Sequence, residues 1–191
     1  MIEPSTTYYP CAGHGQLDIA GSRTVVATYD LHVTQKLRYE IDLSRFGRAD
    51  AADHLGARPI SRDDVDDLAE LMLDAYVGTI DYEGETLDDA IEEVRGFLDS
   101  ESSLPGRSFV VEDEARIVSG VLVSMVEGVP FIGYVMTIPS HKNQGLARLV
   151  VGIALDRLAY DGHESAALYI TDGNVASEAL FRSVGAVQVD Q

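Results

Sequence analysis

The run from Ile117 to Ser140 limits the fold more than any other stretch of this chain, because its only charge is Glu127. A membrane-spanning helix needs about 20 unbroken apolar residues. Here Glu127-Gly128-Val129-Pro130 cuts the run into two halves, each rich in β-branched side chains. Continuous apolar segments of that length, bounded by a turn, have the character of buried strands. The run therefore predicts a hairpin, with strands at about 116–126 and 129–138, and no membrane span.

Helical patterns surround that hairpin. Ser61 followed by Asp64 resembles a capping box with Asp in place of Glu. Val65, Leu68, Ala69, Met72 and Tyr76 then form one apolar stripe that ends near Gly78. Thr86 with Asp89 opens a second helix with Leu87, Ala90, Ile91, Val94 and Leu98 inward, and an acidic loop (Thr79 to Glu85) joins the two. A strand at about 107–112 precedes the hairpin. A helix at 144–161, a strand at 165–171, a short helix at 175–184 and a last strand at 186–190 follow it. Helices that feed back onto one sheet in this order predict an α/β fold (an α+β mixed sheet). Upstream, residues 1–22 are turn-rich and read as an arm. Residues 23–44 alternate as a strand pair (Val25, Ala27, Tyr29, Leu31, then Leu37, Tyr39, Ile41, Leu43), with a turn near His32–Gln35. Residues 45–57 read as a linker. The expected organisation is thus residues 1–57 as arm, strand pair and linker, and residues 58–191 as the main domain.

Charge narrows the function. Fourteen basic residues against 32 acidic ones give −18 in 191 residues, and Lys36 and Lys142 are the only lysines. Residues 61–101 hold 15 of the carboxylates, opposed by Arg62 and Arg95. Such a field repels nucleic acid and anionic lipid, so neither is an expected partner. It suits a solubility surface, and it can also draw in a cationic amine. Cys11 is the only cysteine, which excludes an intrachain disulfide and fits a reducing compartment. The N-terminus has no basic start followed by an apolar core, so a cytoplasmic protein is expected. Cys11 has no histidine partner in the sequence pattern to make it a nucleophile. The five histidines (14, 32, 54, 141 and 163) show no metal-ligand spacing, so no metal is expected.

The segment Val135-Met136-Thr137-Ile138-Pro139-Ser140-His141-Lys142-Asn143-Gln144-Gly145-Leu146-Ala147-Arg148 carries the chemistry. A buried strand stops at a proline, crosses a polar loop and enters an apolar helix. The start of a helix leaves backbone N–H groups unpaired and adds positive potential, which suits a phosphate. Gly145 and Ala147 leave room for an anion to approach, and Lys142 and Arg148 place two of the few cations there. By spacing alone, an ordinary strand–loop–helix corner fits equally well.

A resemblance adds to this reading. Lys142-x-x-Gly145-x-Ala147 after a strand is similar to the Arg/Gln-x-x-Gly-x-Gly/Ala pyrophosphate loop of the GNAT superfamily of acyl-CoA N-acyltransferases, with Lys at the first position. Downstream, Asn174-x-x-Ser177-x-x-Leu180-Phe181-x-x-x-Gly185-Ala186 resembles that family's Asn-x-x-Ala-x-x-Leu-Tyr-x-x-x-Gly-Phe. The element order over residues 58–190 matches as well. The resemblance implies a GNAT-like fold with an N-terminal strand-pair extension, and acetyl-CoA as co-substrate in a cleft where the strand at 129–138 splays from that at 165–171. Backbone groups of Val135, Met136 and Thr137 would pair with the pantetheine arm. The amides of Asn143, Gln144, Gly145, Leu146, Ala147 and Arg148 would hold the pyrophosphate, assisted by Lys142. Asn174 would bond the pantetheine, cap the helix at 175–184, or do both. The family has two strands after that helix, and to Gln191 there is room for one. Residues 23–44 are therefore expected to dock on the sheet of their own chain or, by exchange, on that of a second subunit in a homodimer.

The implied reaction is attack of a primary amine on the thioester carbonyl, with the amine acceptor unidentified. In many members the tyrosine of the second motif protonates the departing thiolate. Phe181 occupies that position and has no proton to give. Tyr169 and Tyr134 on the flanking strands are the candidate replacements. Glu127, Asp172, Asp81, Glu83, Glu85 and His141 are the nearby groups for proton removal, but the carboxylates read first as solvated surface residues and His141 as a loop or phosphate neighbour, so the base stays unassigned. Two other readings stand beside the enzyme: a non-catalytic acyl-CoA-binding module, and an acidic interaction protein for which the fold is only a scaffold.

Overall fold

The computed structural model describes residues 35–47 and 56–189. The N-terminal arm, Cys11, the first strand of the expected pair and most of the linker lie outside the described residues. Among these, seven strands form one mixed sheet in the order β2-β3-β4-β5-β6-β1-β7. They are β1 (Lys36–Asp42), β2 (Ala57–Pro59), β3 (Phe109–Asp113), β4 (Arg116–Val126), β5 (Val129–Thr137), β6 (Ser165–Thr171) and β7 (Val187–Gln188). The helices are α1 (Val65–Tyr76), α2 (Leu87–Asp99), α3 (Leu146–Tyr160) and α4 (Val175–Ser183).

The apolar run is the expected hairpin: β4 and β5 pair antiparallel from Val126↔Val129 to Ser119↔Thr137. Ile117 through Val123 are all buried along β4. Helix α1 packs on β4 and β5 while α3 packs on β3, β4 and β5, so the shared strands are covered on both faces. That double cover is why the strand reads as an unbroken apolar run. Both capping boxes form. Ser61 and Asp64 exchange side-chain and backbone hydrogen bonds ahead of α1, as do Thr86 and Asp89 ahead of α2.

Asp64 does more than cap. It is buried and takes two hydrogen bonds from the Arg58 guanidinium, each 2.8 Å, beside the Ser61 N–H at 2.7 Å. Those donors, Arg58 foremost, hold its carboxyl below the usual range against the opposing effect of burial. Arg58 belongs to β2, a short edge strand that pairs with β3 and ends at Pro59. Sequence periodicity missed it because three residues are too few to alternate, and a proline is tolerated at an edge.

The N-terminal segment meets the docking expectation. β1 pairs antiparallel with β6 along its whole length, from Lys36↔Thr171 to Asp42↔Ser165, and on its other side with β7. The second strand of the expected pair therefore docks on the sheet of its own chain. Tyr39, Ile41 and Leu43 are buried. The start of the expected linker is also docked: just after the Leu43 N–H donates to Glu164 O (2.9 Å), the Gly47 N–H donates to Asp156 Oδ1 (2.9 Å). Small, charged residues concealed this, since their anchoring partners lie on α3 and the loop after it.

Two outcomes follow. Ile41→Ala should lower the unfolding free energy by about 2–5 kcal/mol, read from urea denaturation, because a fully buried core side chain is removed. A group with a depressed native pKa stabilises the fold above its unfolded pKa, about 3.9 for Asp, and loses that contribution as pH falls below it. The melting temperature of Asp64→Asn should therefore fall less steeply than wild type as the pH drops below about 4, and be lower at neutral pH.

Candidate functional site

Strands β5 and β6 run parallel, yet only Phe131↔Ala167 and Ile132↔Leu168 pair. The register of β5 on β4 slips between Leu122 and Val123, which leaves Gly133 as the extra residue of a bulge. Past that bulge the strands part, and Tyr134–Thr137 on one side face Tyr169–Thr171 on the other without ladder bonds. The Ile138 N–H donates to Val118 O (3.0 Å), and Met136 O accepts from the Ser119 hydroxyl (2.9 Å). In an antiparallel ladder, alternate residues turn their backbone groups to opposite sides. The backbone of Val135 and Thr137 thus faces the opening, whereas that of Met136 faces β4.

At the far end of β5 a short turn, Pro139–His141, leads into the loop before α3. Asn143 (φ 64°) and Gly145 (φ 83°) both adopt left-handed backbone. Asn tolerates that region and Gly enters it without strain. The effect is to gather donors. The first bond into α3 is Leu149 N–H to Gly145 O (2.9 Å). Among the described residues, the N–H groups of Asn143, Gln144, Gly145, Leu146, Ala147 and Arg148 have no hydrogen-bond partner. Six consecutive free amides at the positive end of a 15-residue helix form an anion cradle. Among the described residues, the exposed Arg148 makes no ion pair. A Cβ at Gly145 would meet no atom within 4 Å, so the cradle is open to a bulky group. The residues present fit a pyrophosphate.

Of the other sequence candidates, Lys142 departs from its expected place beside the amides. Lys142 extends to Ala75 O at the end of α1 (3.4 Å), away from the amides. A carbonyl at a helix C-terminus attracts a cation, which accounts for the pose. His141 lies between the Ser140 hydroxyl (2.9 Å) and Asp113 (3.0 Å). Gln144 donates to Ser140 O (3.2 Å). Phe181 is buried. The Tyr134 hydroxyl donates to Glu93 of α2. Tyr169 is 47% exposed, one residue past the last β5–β6 pair, with its ring 5.7 Å from that of Phe131. Glu127 forms the β4–β5 turn, at the end of the strand opposite the opening. The main-chain N–H of Asp172 is bonded to Gln35 O (2.8 Å). Asn174 caps α4 through its side-chain oxygen, which accepts from the Ser177 N–H (3.0 Å).

One residue acquires partners that no local pattern announced. Asp81, in the α1–α2 loop, accepts from the Thr171 hydroxyl and from Asn174 Nδ2 (2.7 Å). It lies 93 positions from Asn174, and no local periodicity links residues so far apart. Burial, and secondarily the Asp81 charge, push the nearby Tyr76 phenol up. No three His, Cys, Asp or Glu side chains converge to hold a metal among the described residues.

Residues 54–187 match the family model of the acetyltransferase (GNAT) domain. The chain belongs to the GNAT acetyltransferase family. Solved structures share its fold at low identity. An apo aminoglycoside 6'-N-acetyltransferase from Acinetobacter haemolyticus is 18% identical with a TM-score of 0.57, covering 72% of this chain and 94% of that one. A GCN5-related N-acetyltransferase from Sphaerobacter thermophilus is 16% identical with a TM-score of 0.63; the match spans 81% of this chain and 48% of that longer one. The ribosomal-protein-S18-alanine N-acetyltransferase from Escherichia coli is 16% identical with a TM-score of 0.56, over 68% and 75% of the two chains. No curated protein matches the sequence.

The cradle yields a direct test. Gly145→Ala introduces only left-handed strain, about 1–2 kcal/mol, and should weaken CoA binding while keeping the fold. Gly145→Glu sets a carboxylate among the amides and should abolish the rise in melting temperature that CoA gives to a chain that binds it. Equal shifts in both variants and wild type would place the phosphate elsewhere.

Proposed function

We propose that this chain is an N-acyltransferase that moves an acetyl group from acetyl-CoA to a primary amine by direct attack on the thioester. The observation that carries this reading is the cradle of six unpaired amides at the end of a strand whose free backbone edge faces a cleft. The cradle suits the pyrophosphate, and the backbone of Val135 and Thr137 suits the pantetheine as an added strand. In the reaction the amine nitrogen bonds the carbonyl carbon and the carbon–sulfur bond breaks. The ammonium must lose two of its three protons, one before attack and one as the adduct collapses; the thiolate takes up one and the other passes to solvent or a base. A thiol has a pKa of about 8.5, so the thiolate leaves with modest help. Tyr169 is the better placed donor, being half-exposed at the point where the strands part, whereas the Tyr134 hydroxyl is held by Glu93.

The acceptor side is anionic. Asp81, Glu83, Glu85, Asp88, Asp89, Glu92 and Glu93 lie on the α1–α2 loop and α2, with Arg95 as the one opposing charge on that stretch. Such a rim favours an amine that arrives protonated. Similar folds act on an aminoglycoside or on a ribosomal protein's alanine, both amine acceptors. The buried Phe181 favours a second reading, a module that binds acyl-CoA without turnover.

Thiol release from acetyl-CoA, measured against a panel of polyamines, amino sugars and peptide N-termini, separates the two. Release that depends on an amine is the expected result. Tyr169→Phe should then lower kcat by about a hundredfold with little change in the acetyl-CoA KM, and Tyr134→Phe should change kcat little. A chain that CoA stabilises but that releases no thiol with any amine is the binding module. One that CoA does not stabilise is neither.

A further inference from the structure

The connection between α1 and α2 is tied to both arms of the cleft. On the β5 side, Lys142 Nζ meets Ala75 O at the end of α1 (3.4 Å). On the β6 side, Asp81 holds Thr171 and Asn174, and Ile80 Cδ1 lies 3.7 Å from where a Cβ on Gly173 would stand. The connection is also braced from within. The Thr79 hydroxyl bonds Tyr76 O (2.8 Å), the Tyr82 hydroxyl bonds Glu85 O (3.2 Å), and the Glu83 N–H bonds Glu85 Oε2 (3.0 Å). Asp81 is therefore presented by a stiff support.

The hydrogen-bond inventory of Asn174 gives this tie a consequence. Its Oδ1 accepts from the Ser177 N–H (3.0 Å), and one of its two Nδ2 hydrogens goes to Asp81 (2.7 Å). A flipped amide would set N–H against N–H at Ser177 and oxygen against carboxylate at Asp81, so the two partners together fix its orientation. The Ser177 bond alone would leave the amide nitrogen unanchored. One N–H of Asn174 remains.

We propose that Asp81 is a positioning residue: it fixes the Asn174 amide so that the remaining N–H is held for the pantetheine arm of acyl-CoA. The proposal rests on the acyl-CoA reading of the cleft. Asp81 touches no reacting atom; it acts through Asn174.

The test is CoA binding to the full chain by calorimetric titration, with the melting temperature of each variant measured in parallel. Asn174→Ala should weaken CoA about tenfold, the loss of one well-formed hydrogen bond. Asp81→Ala should weaken it by a similar factor, and Asp81→Ala/Asn174→Ala should be no weaker than Asn174→Ala alone, because both changes remove the same bond. Asp81→Asn should bind like wild type, since its side-chain oxygen still accepts from Asn174 and the Thr171 hydroxyl can turn to accept from the new amide. The exchange Asp81→Asn/Asn174→Asp keeps the tie and the helix cap but leaves no N–H to donate. It should melt near wild type and bind CoA as weakly as Asn174→Ala. Wild-type affinity in Asp81→Ala, additive losses in the double alanine variant, or full CoA affinity in the exchanged pair would each overturn the proposal. If Asp81→Ala does not fold, the exchanged pair still decides. Failure of the wild-type chain to bind CoA would instead remove the acyl-CoA reading, a result distinct from any of these.

Discussion

Between β5 and β6 the hydrogen-bonded ladder stops after Ile132 and Leu168, and the rest of the site depends on that interruption. A strand in mid-sheet with an unpaired edge carries backbone donors and acceptors that must find partners. The bulge at Gly133 re-aims β5 so that Val135 and Thr137 present those groups to an opening instead of to β6. The same strand then delivers the chain to the start of α3, where the left-handed backbone at Asn143 and Gly145 keeps six amides free. An unpaired strand edge and a free helix end thus form one continuous polar track. A ligand that is peptide-like along its middle and doubly anionic at its end matches that track.

The surrounding structure keeps the two arms apart without letting them collapse. β6 could not stand as a pleated strand with one side open and the other unpaired, because an exposed edge on that flank would invite pairing with another chain. β1 removes the problem by pairing along the whole of β6 and carrying β7 on its far side. Its buried Tyr39, Ile41 and Leu43 join the core. A segment from before the family-matched region is thereby part of the wall behind the cleft. On the near side, Lys142 and Asp81 join the α1–α2 connection to the two arms.

Charge and site are arranged in opposition. The acidic residues gather on α1, α2 and their connection, while the six residues of the amide cradle include Arg148 and no carboxylate. Helix-end amides serve an acidic protein well here, since they supply positive potential without adding cations that its own carboxylates would neutralise. Lys142 illustrates the alternative: a mobile ammonium next to a helix C-terminus is drawn to the carbonyl there.

The sequence by itself determined the local pieces. Capping boxes, the buried hairpin, the strand–loop–helix at 135–148 and the cap at Asn174 each rest on residues within a few positions of one another, where propensity and hydrogen bonding act directly. The alternation of Leu37, Tyr39, Ile41 and Leu43 likewise marked a strand with one buried face. Only the tertiary structure decided which edge that strand joins, where β5 leaves β6, that Met136 turns its backbone to β4, and that Asp81 reaches Asn174. These depend on register and on contacts between residues far apart in the chain. A side-chain period of two or 3.6 identifies the face that is buried, but not the partner that buries it.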